Sequence, residues 1–156
     1  LADLVRPVDT VSVCFSKGLG APVGSCLAGE AALIRAGRRV RKLYGGGMRQ
    51  AGILAAACLY ALDHNLPRLA DDHRRARRLA EGLDNPFISL DHEVETNIVI
   101  YRTAHEERLL AFLAVRGLLA VAFGKGRVRL VTHLMIDDEQ VETALTALNA
   151  YVEEPA

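Results

Sequence analysis

Residues 51–62 run through twelve positions without a charge, Ala-Gly-Ile-Leu-Ala-Ala-Ala-Cys-Leu-Tyr-Ala-Leu. With its flanks, Met48 to His64 reads as one alanine-rich helix, apolar nearly all round. Such a helix has no face to offer water. It is also too short to cross a bilayer, which takes about 20 apolar residues. It therefore belongs in an interior, where its alanines let neighbours come close. At 156 residues the chain is one domain, or pieces of two smaller ones. Apolar residues at 51% and charged residues at 24% exclude disorder as the dominant state. Lys+Arg and Asp+Glu both number 19, so no global charge advertises nucleic acid or repels it.

The remaining pattern alternates strands and helices. Residues 9–15 (DTVSVCF) are β-rich and read as a buried strand, followed by a glycine-rich loop over 18–24 and a short strand over 25–28. A helix over 30–43, broken or bent near Gly37, stops at Gly45-Gly46-Gly47. Beyond His64 the order is an amphipathic helix from Pro67 to Leu83, a strand over 97–102 and a helix over 106–116. Two strands over 118–123 and 127–132 follow, joined by Gly124-Lys125-Gly126, then a helix over 137–152 with acids at its positive end. The order argues an α/β chain with a boundary near residues 64–67. Cys14, Cys26 and Cys58 fit no zinc spacing and read as buried, reduced thiols of a cytoplasmic protein. The start of the chain has no signal-peptide pattern.

Three clusters can carry chemistry. There are only three lysines against sixteen arginines, and Lys17 stands where a strand opens into a glycine-rich loop, SKGLGAPVGS. A strand-end amine in partly apolar surroundings can form Schiff bases; the alternative is a solvated loop lysine. Between Arg35 and Arg49 lie six basic residues and no acid. There, a turn over 45–47 feeds a helix start that would hold Arg49, with Lys42 just before it. A bound phosphate fits that arrangement, and so does a flexible turn with solvated charges. In RVRLVTH, alternation sends Arg127, Arg129 and Val131 to one face of a strand. A strand arginine beside apolar residues can clamp a carboxylate with two parallel hydrogen bonds, or serve as a paired structural arginine. His133 could be a general base or a cap. The other histidines lack metal-ligand spacing, and no metal is expected. The Arg74–Arg78 run reads as a solvated helix face.

In this order, SVCFSKGLGAPVGS, RKLYGGGMRQAGILAAACLYAL and RLVTH resemble the corresponding blocks of low-specificity L-threonine aldolases, from about Leu1 to about Tyr151. Those are pyridoxal-phosphate enzymes of fold type I, in the β-eliminating lyase group. The resemblance implies an α/β chain made of the end of the large cofactor-binding domain, 1–65, and the small C-terminal domain, 66–156. It implies that Lys17 forms the cofactor Schiff base, that Lys42 and Arg49 lie near its phosphate, and that Arg129 holds the substrate carboxylate. The implied substrate is a small β-hydroxy-α-amino acid: L-threonine or L-allo-threonine, cleaved to glycine and acetaldehyde. The implied assembly is a cytoplasmic homo-oligomer, a tetramer built from dimers, with neither nucleic acid nor membrane as partner.

Family members are roughly twice this length, as two-domain enzymes are. The resemblance thus places the phosphate loop, the ring-stacking residue, the Asp on the pyridine nitrogen and a His acting on the substrate hydroxyl before Leu1, and the 156-residue chain alone is expected to be inactive. Two other readings stand beside this one. The first is a non-catalytic fragment that associates through the apolar helix. The second is a sister pyridoxal-phosphate lyase with different β-bond chemistry.

Overall fold

The structure is a computed structural model and describes residues 2–153. Residues 1 and 154–156, at the ends of the expected domains, lie outside the described residues. The chain falls into two compact units, one up to Pro67 and one from Arg68.

The first unit opens with α1 (Ala2–Val5), then β1 (Thr10–Cys14) paired antiparallel with β2 (Ser25–Gly29) in the register Thr10↔Gly29 to Cys14↔Ser25. Helices α2 (Ala31–Leu43) and α3 (Gly52–Asn65) follow. Several expectations need correction here. The ribbon is not buried: four of the five β1 residues are exposed, and so is every β2 residue. Cys14 and Cys26 are exposed with it, and all three cysteines are free. Helix α2 runs unbroken through Gly37, where a Cβ would make only ordinary contact with Leu27. The apolar helix begins at Gly52, not Met48, and only Ala61 of α3 is buried. Ile53 is 77% exposed, Leu59 and Tyr60 61% each.

The end of α2 shows why the triple glycine stops a helix. Gly45 adopts φ +79, a left-handed conformation that costs glycine little. Its N–H reaches Lys42 O, and the Gly46 N–H reaches Arg41 O at 2.8 Å. Together these satisfy two carbonyls that the helix end would otherwise leave open.

The second unit is an antiparallel sheet with three helices. Its elements are α4 (Leu69–Glu81), β3 (Ser89–Leu90), β4 (Ile98–Arg102), α5 (Glu106–Ala114), β5 (Val121–Ala122), β6 (Arg127–Val131) and α6 (Asp138–Asn149), with sheet order β3-β4-β6-β5. Val99, Tyr101 and Val128 are fully buried and join one core with Leu109 and Leu113 of α5 and Leu148 of α6. The Tyr101 hydroxyl donates to Leu79 O at 2.9 Å, and burial pushes its pKa up from the usual phenol value. Asp137 caps α6 by accepting from Gln140 N while its own N–H meets the Gln140 side chain.

The arginine run of α4 is not merely solvated. Arg78 grips Glu142 of α6 through Nε at 2.6 Å and Nη2 at 2.8 Å, and Arg74 and Arg75 both reach Asp138. Arginine hydrogen bonds hold the Glu142 and Asp138 carboxyls below their ordinary values of 4.5 and 3.8. A carboxylate whose folded pKa is depressed adds stability above its unfolded pKa, and that stability is lost as pH falls through the folded one. These groups are solvent-exposed, so salt screens them strongly.

Two outcomes are expected. Leu109→Ala removes a fully buried side chain from the centre of the second unit and should cost about 2–5 kcal/mol in denaturant unfolding; a loss below 1 kcal/mol would contradict this core. The melting temperature should fall as pH drops from about 5 towards 3, and Glu142→Gln should make that fall shallower. An identical acid profile in Glu142→Gln would show that the α4–α6 pair is not coupled to folding.

Candidate functional site

The turn that carries Lys17 is held by its backbone. Phe15 N–H donates to Gly24 O at 2.9 Å, Ala21 N–H to Phe15 O at 3.0 Å, and Gly20 N–H to the Lys17 carbonyl at 2.8 Å. Leu19 and Ala21 are buried beneath this turn. Two side chains of α3 reach up to it: Asn65 Nδ2 donates to Leu19 O at 2.7 Å, and Cys58 Sγ lies 3.4 Å from Val23 O. The Lys17 residue itself is exposed, not packed in the partly apolar surroundings expected of it. What the fold fixes is the lysine's backbone; its amine stays reachable.

Lys42 and Arg49 flank the glycine turn. A Cβ on Gly47 would stand 2.8 Å from Lys42 Cδ and 3.0 Å from its Nζ, so the lysine lies over that glycine and no other residue would leave it there. Arg49 sits in a turn ahead of α3, not in the first turn of the helix as expected. The reason is local: Gln50 takes a left-handed φ of +54, which delays the helix to Gly52. Both cations are exposed. Among the described residues neither has an ion-pair partner, and no hydrogen bond joins either to Lys17. A cation folded over a bare glycine backbone, with a second nearby in sequence, suits a phosphate group.

Arg129 lies in the second unit. Register sets it opposite Ile100 of β4, on the sheet face away from the core. Two neighbouring arginines on that face, Arg102 and Arg127, both pair with Asp91. Arg129 pairs with no acid among the described residues, and its Nε is buried without a partner. Its guanidinium sits 5.3 Å from the Phe123 ring centre, within cation–π range. It borders a cleft of about 370 Å³ that also takes in His92, Thr96, Ile98 and Phe123. Glu93 and Glu95 stand at the same cleft, both exposed and neither bonded to Arg129. A buried donor with no acceptor is costly, and a carboxylate entering the cleft would satisfy it bidentately. A larger cleft of about 560 Å³ between α4 and α6 is lined by Arg74, Arg75 and Arg78, whose charges are already matched by Asp138 and Glu142.

His133 braces the turn ahead of α6: its Nδ1 accepts from Met135 N at 3.3 Å, and its carbonyl accepts from Ile136 N. Sequence reasoning missed Phe123 and Asn65. Phe123 ends an apolar run, where an aromatic signals packing as readily as a site. Asn65 has the look of a helix terminator, and only its 46-residue reach to Leu19 shows otherwise.

Residues 1–106 match the Beta-eliminating lyase family. Low-specificity L-threonine aldolase 1 of Arabidopsis thaliana is 43% identical over 150 residues, 92% of this chain and 42% of that one. The low specificity L-threonine aldolase of Escherichia coli O157:H7 is 40% identical over 154 residues, 97% and 45% of the two chains. The chain thus spans less than half the length of these relatives. In fold it is similar to a serine palmitoyltransferase solved with pyridoxal phosphate as its internal aldimine (TM-score 0.71, 21% identity, 94% of this chain and 40% of that one). No described helix is long and apolar enough to cross a membrane. With its match over residues 1–106 and relatives at 40% identity or more, this chain belongs to the beta-eliminating lyase family, and its fold is that of the fold-type-I pyridoxal-phosphate enzymes.

Proposed function

We propose that this chain supplies the cofactor lysine and the substrate-carboxylate arginine for aldol cleavage of L-threonine and L-allo-threonine to glycine and acetaldehyde. The observation that carries the reading is Arg129, a half-buried arginine whose Nε has no acceptor. The two threonine aldolase relatives favour this bond chemistry over that of a sister lyase.

When bound, pyridoxal phosphate supplies an electron sink for a bond breaking at the amino-acid α-carbon. Lys17 anchors it through Nζ, and Lys42 with Arg49 meets its phosphate. Arg129 takes the substrate carboxylate in a two-pronged bond, and the Phe123 ring supports its guanidinium from one side. Fixing the carboxylate fixes rotation about the substrate's Cα–N bond, which decides which bond at Cα is aligned to break. In the net reaction the Cα–Cβ bond breaks, the β-hydroxyl proton is lost, and a proton is added at Cα. Groups outside this chain complete the site, and the whole enzyme works as a homo-oligomer.

A non-catalytic association role has one observation on its side, the exposed apolar face of α3. Trapping with borohydride separates the two. Incubated with pyridoxal phosphate and reduced, the chain should carry a pyridoxyl adduct on Lys17 in preference to Lys42 and Lys125, located by peptide mass. Label scattered evenly over the three lysines would mean that groups outside this chain make the site, and would leave the chain by itself only the association role. In the complete enzyme Lys17→Ala should remove turnover. Arg129→Ala should lower kcat/KM by about 10- to 150-fold, the worth of a charge-assisted bond, mostly through KM. Arg129→Lys should recover little of this, since a lysine lacks the planar fork. Wild-type kinetics in Arg129→Ala would refute the clamp.

A further inference from the structure

We infer that Asn65 is the positioning residue for Lys17, an inference that rests on the Schiff-base reading of that lysine. Asn65 is the last residue of α3 and half-buried. Its Nδ2 donates to Leu19 O at 2.7 Å across 46 residues of sequence. Asparagines at helix ends commonly turn back on their own backbone; this one donates away from its helix. The carbonyl it takes is two residues beyond Lys17, inside the turn closed by Gly20 N–H on the Lys17 carbonyl.

The location matters because Lys17 has little else to fix it. Its side chain is exposed, and an exposed lysine samples many rotamers. The fold can hold only the backbone from which that side chain springs. On the strand side, Phe15 is fixed by bonds with Gly24 and Ala21. On the far side, Asn65 is the polar side chain that ties the turn to a helix. Without it the turn keeps its internal bonds, its buried Leu19 and the Cys58 Sγ contact with Val23 O at the far end of the loop, but loses the α3 bond nearest Lys17. A reacting amine displaced by about 1 Å loses much of its effective concentration, so the clamp acts on chemistry through Lys17 and not by touching the cofactor.

The test uses the full chain with Asn65→Asp, Asn65→Ala and His64→Ala. Asn65→Asp keeps the size and removes the N–H donors. His64→Ala removes a neighbouring side chain that stacks on Tyr60 within α3, and so controls for general loss of the helix end. Two quantities are read: amide hydrogen exchange at Gly20 and Ala21 without cofactor, and the pyridoxal phosphate concentration giving half-maximal borohydride-trapped label on Lys17. Both Asn65 variants should raise that concentration about five- to tenfold, one hydrogen bond's worth. They should leave labelling of Lys42 and Lys125 unchanged and speed exchange at the two amides by a similar factor. His64→Ala should match wild type in both. If Asn65→Ala fails to fold, Asn65→Asp decides. Wild-type labelling of Lys17 in Asn65→Asp overturns the positioning role, even if exchange is faster. Equal loss of label at all three lysines overturns it too, since that marks a structural effect. A wild-type chain that takes no label on Lys17 overturns the Schiff-base reading itself, and the inference falls with it.

Discussion

The pairing of β4 with β6 carries both the core of the second unit and Arg129, whose Nε is buried without a partner. On one face, Val99, Tyr101 and Val128 are sealed against three helices; on the other, Arg129 stands opposite Ile100. Side chains alternate along a strand, so a slip of one residue would drive Arg129 into the core and put Val128 outside. Both ends of the pair are pinned against that slip. At one end Arg102 and Arg127, directly opposite in register, both pair with Asp91. At the other, Thr132 N–H donates to Asn97 O and Asn97 Nδ2 donates back to Thr132 O at 2.9 Å. Thr132 Oγ1 then ties that end to Asp72 O of α4 at 2.7 Å. By engaging its neighbours and not Arg129, Asp91 helps keep one guanidinium available for a ligand.

The first unit follows a different logic. The backbone at Lys17 is placed by main-chain bonds in a turn and by one amide reaching from α3, not by packing of its own side chain. That leaves the amine open to solvent. The same economy governs the glycine turn, where the missing side chain of Gly47 leaves room for Lys42 and the left-handed Gly45 closes α2 without help from any side chain. In each case the backbone holds still so that a cation can remain unpaired.

Much of this could be read before the fold was seen. The order of the longer elements, the hairpin joining β5 to β6 and the acidic start of α6 follow from local signals of glycine spacing, strand alternation and charge at a helix end, while the short α1 and β3 carried no such signal. The Arg129 face followed from a period of two alone. Boundaries were harder. The triple glycine announced that α2 would stop, but not that Gln50 would turn left-handed and hold α3 back to Gly52. Helix α2 runs on through Gly37, because a single glycine in a helix costs only about 1 kcal/mol. Long-range polar partners left no local trace. Asp72, 1% exposed and bonded to Arg68, and Asn65, bonded to Leu19, look like ordinary surface residues in the sequence.

Burial was the least legible property, and the reason is physical. A run such as Ala51–Leu62 specifies the surroundings in which it is stable, but burial is a relation between two surfaces and the run contains only one of them. Residues 2–153 cover the apolar faces of α4, α5 and α6 completely enough to form a core, yet leave Ile53, Leu59 and Tyr60 in contact with water. At about 25 cal/mol per Å² of apolar surface, that exposure is a standing drive for the first unit to associate. A homo-oligomeric enzyme and a bare association module share this drive, so the apolar helix cannot tell them apart. The discrimination falls to the groups for which association alone has no use: an open lysine on a clamped turn, and an arginine whose buried Nε waits for an acceptor.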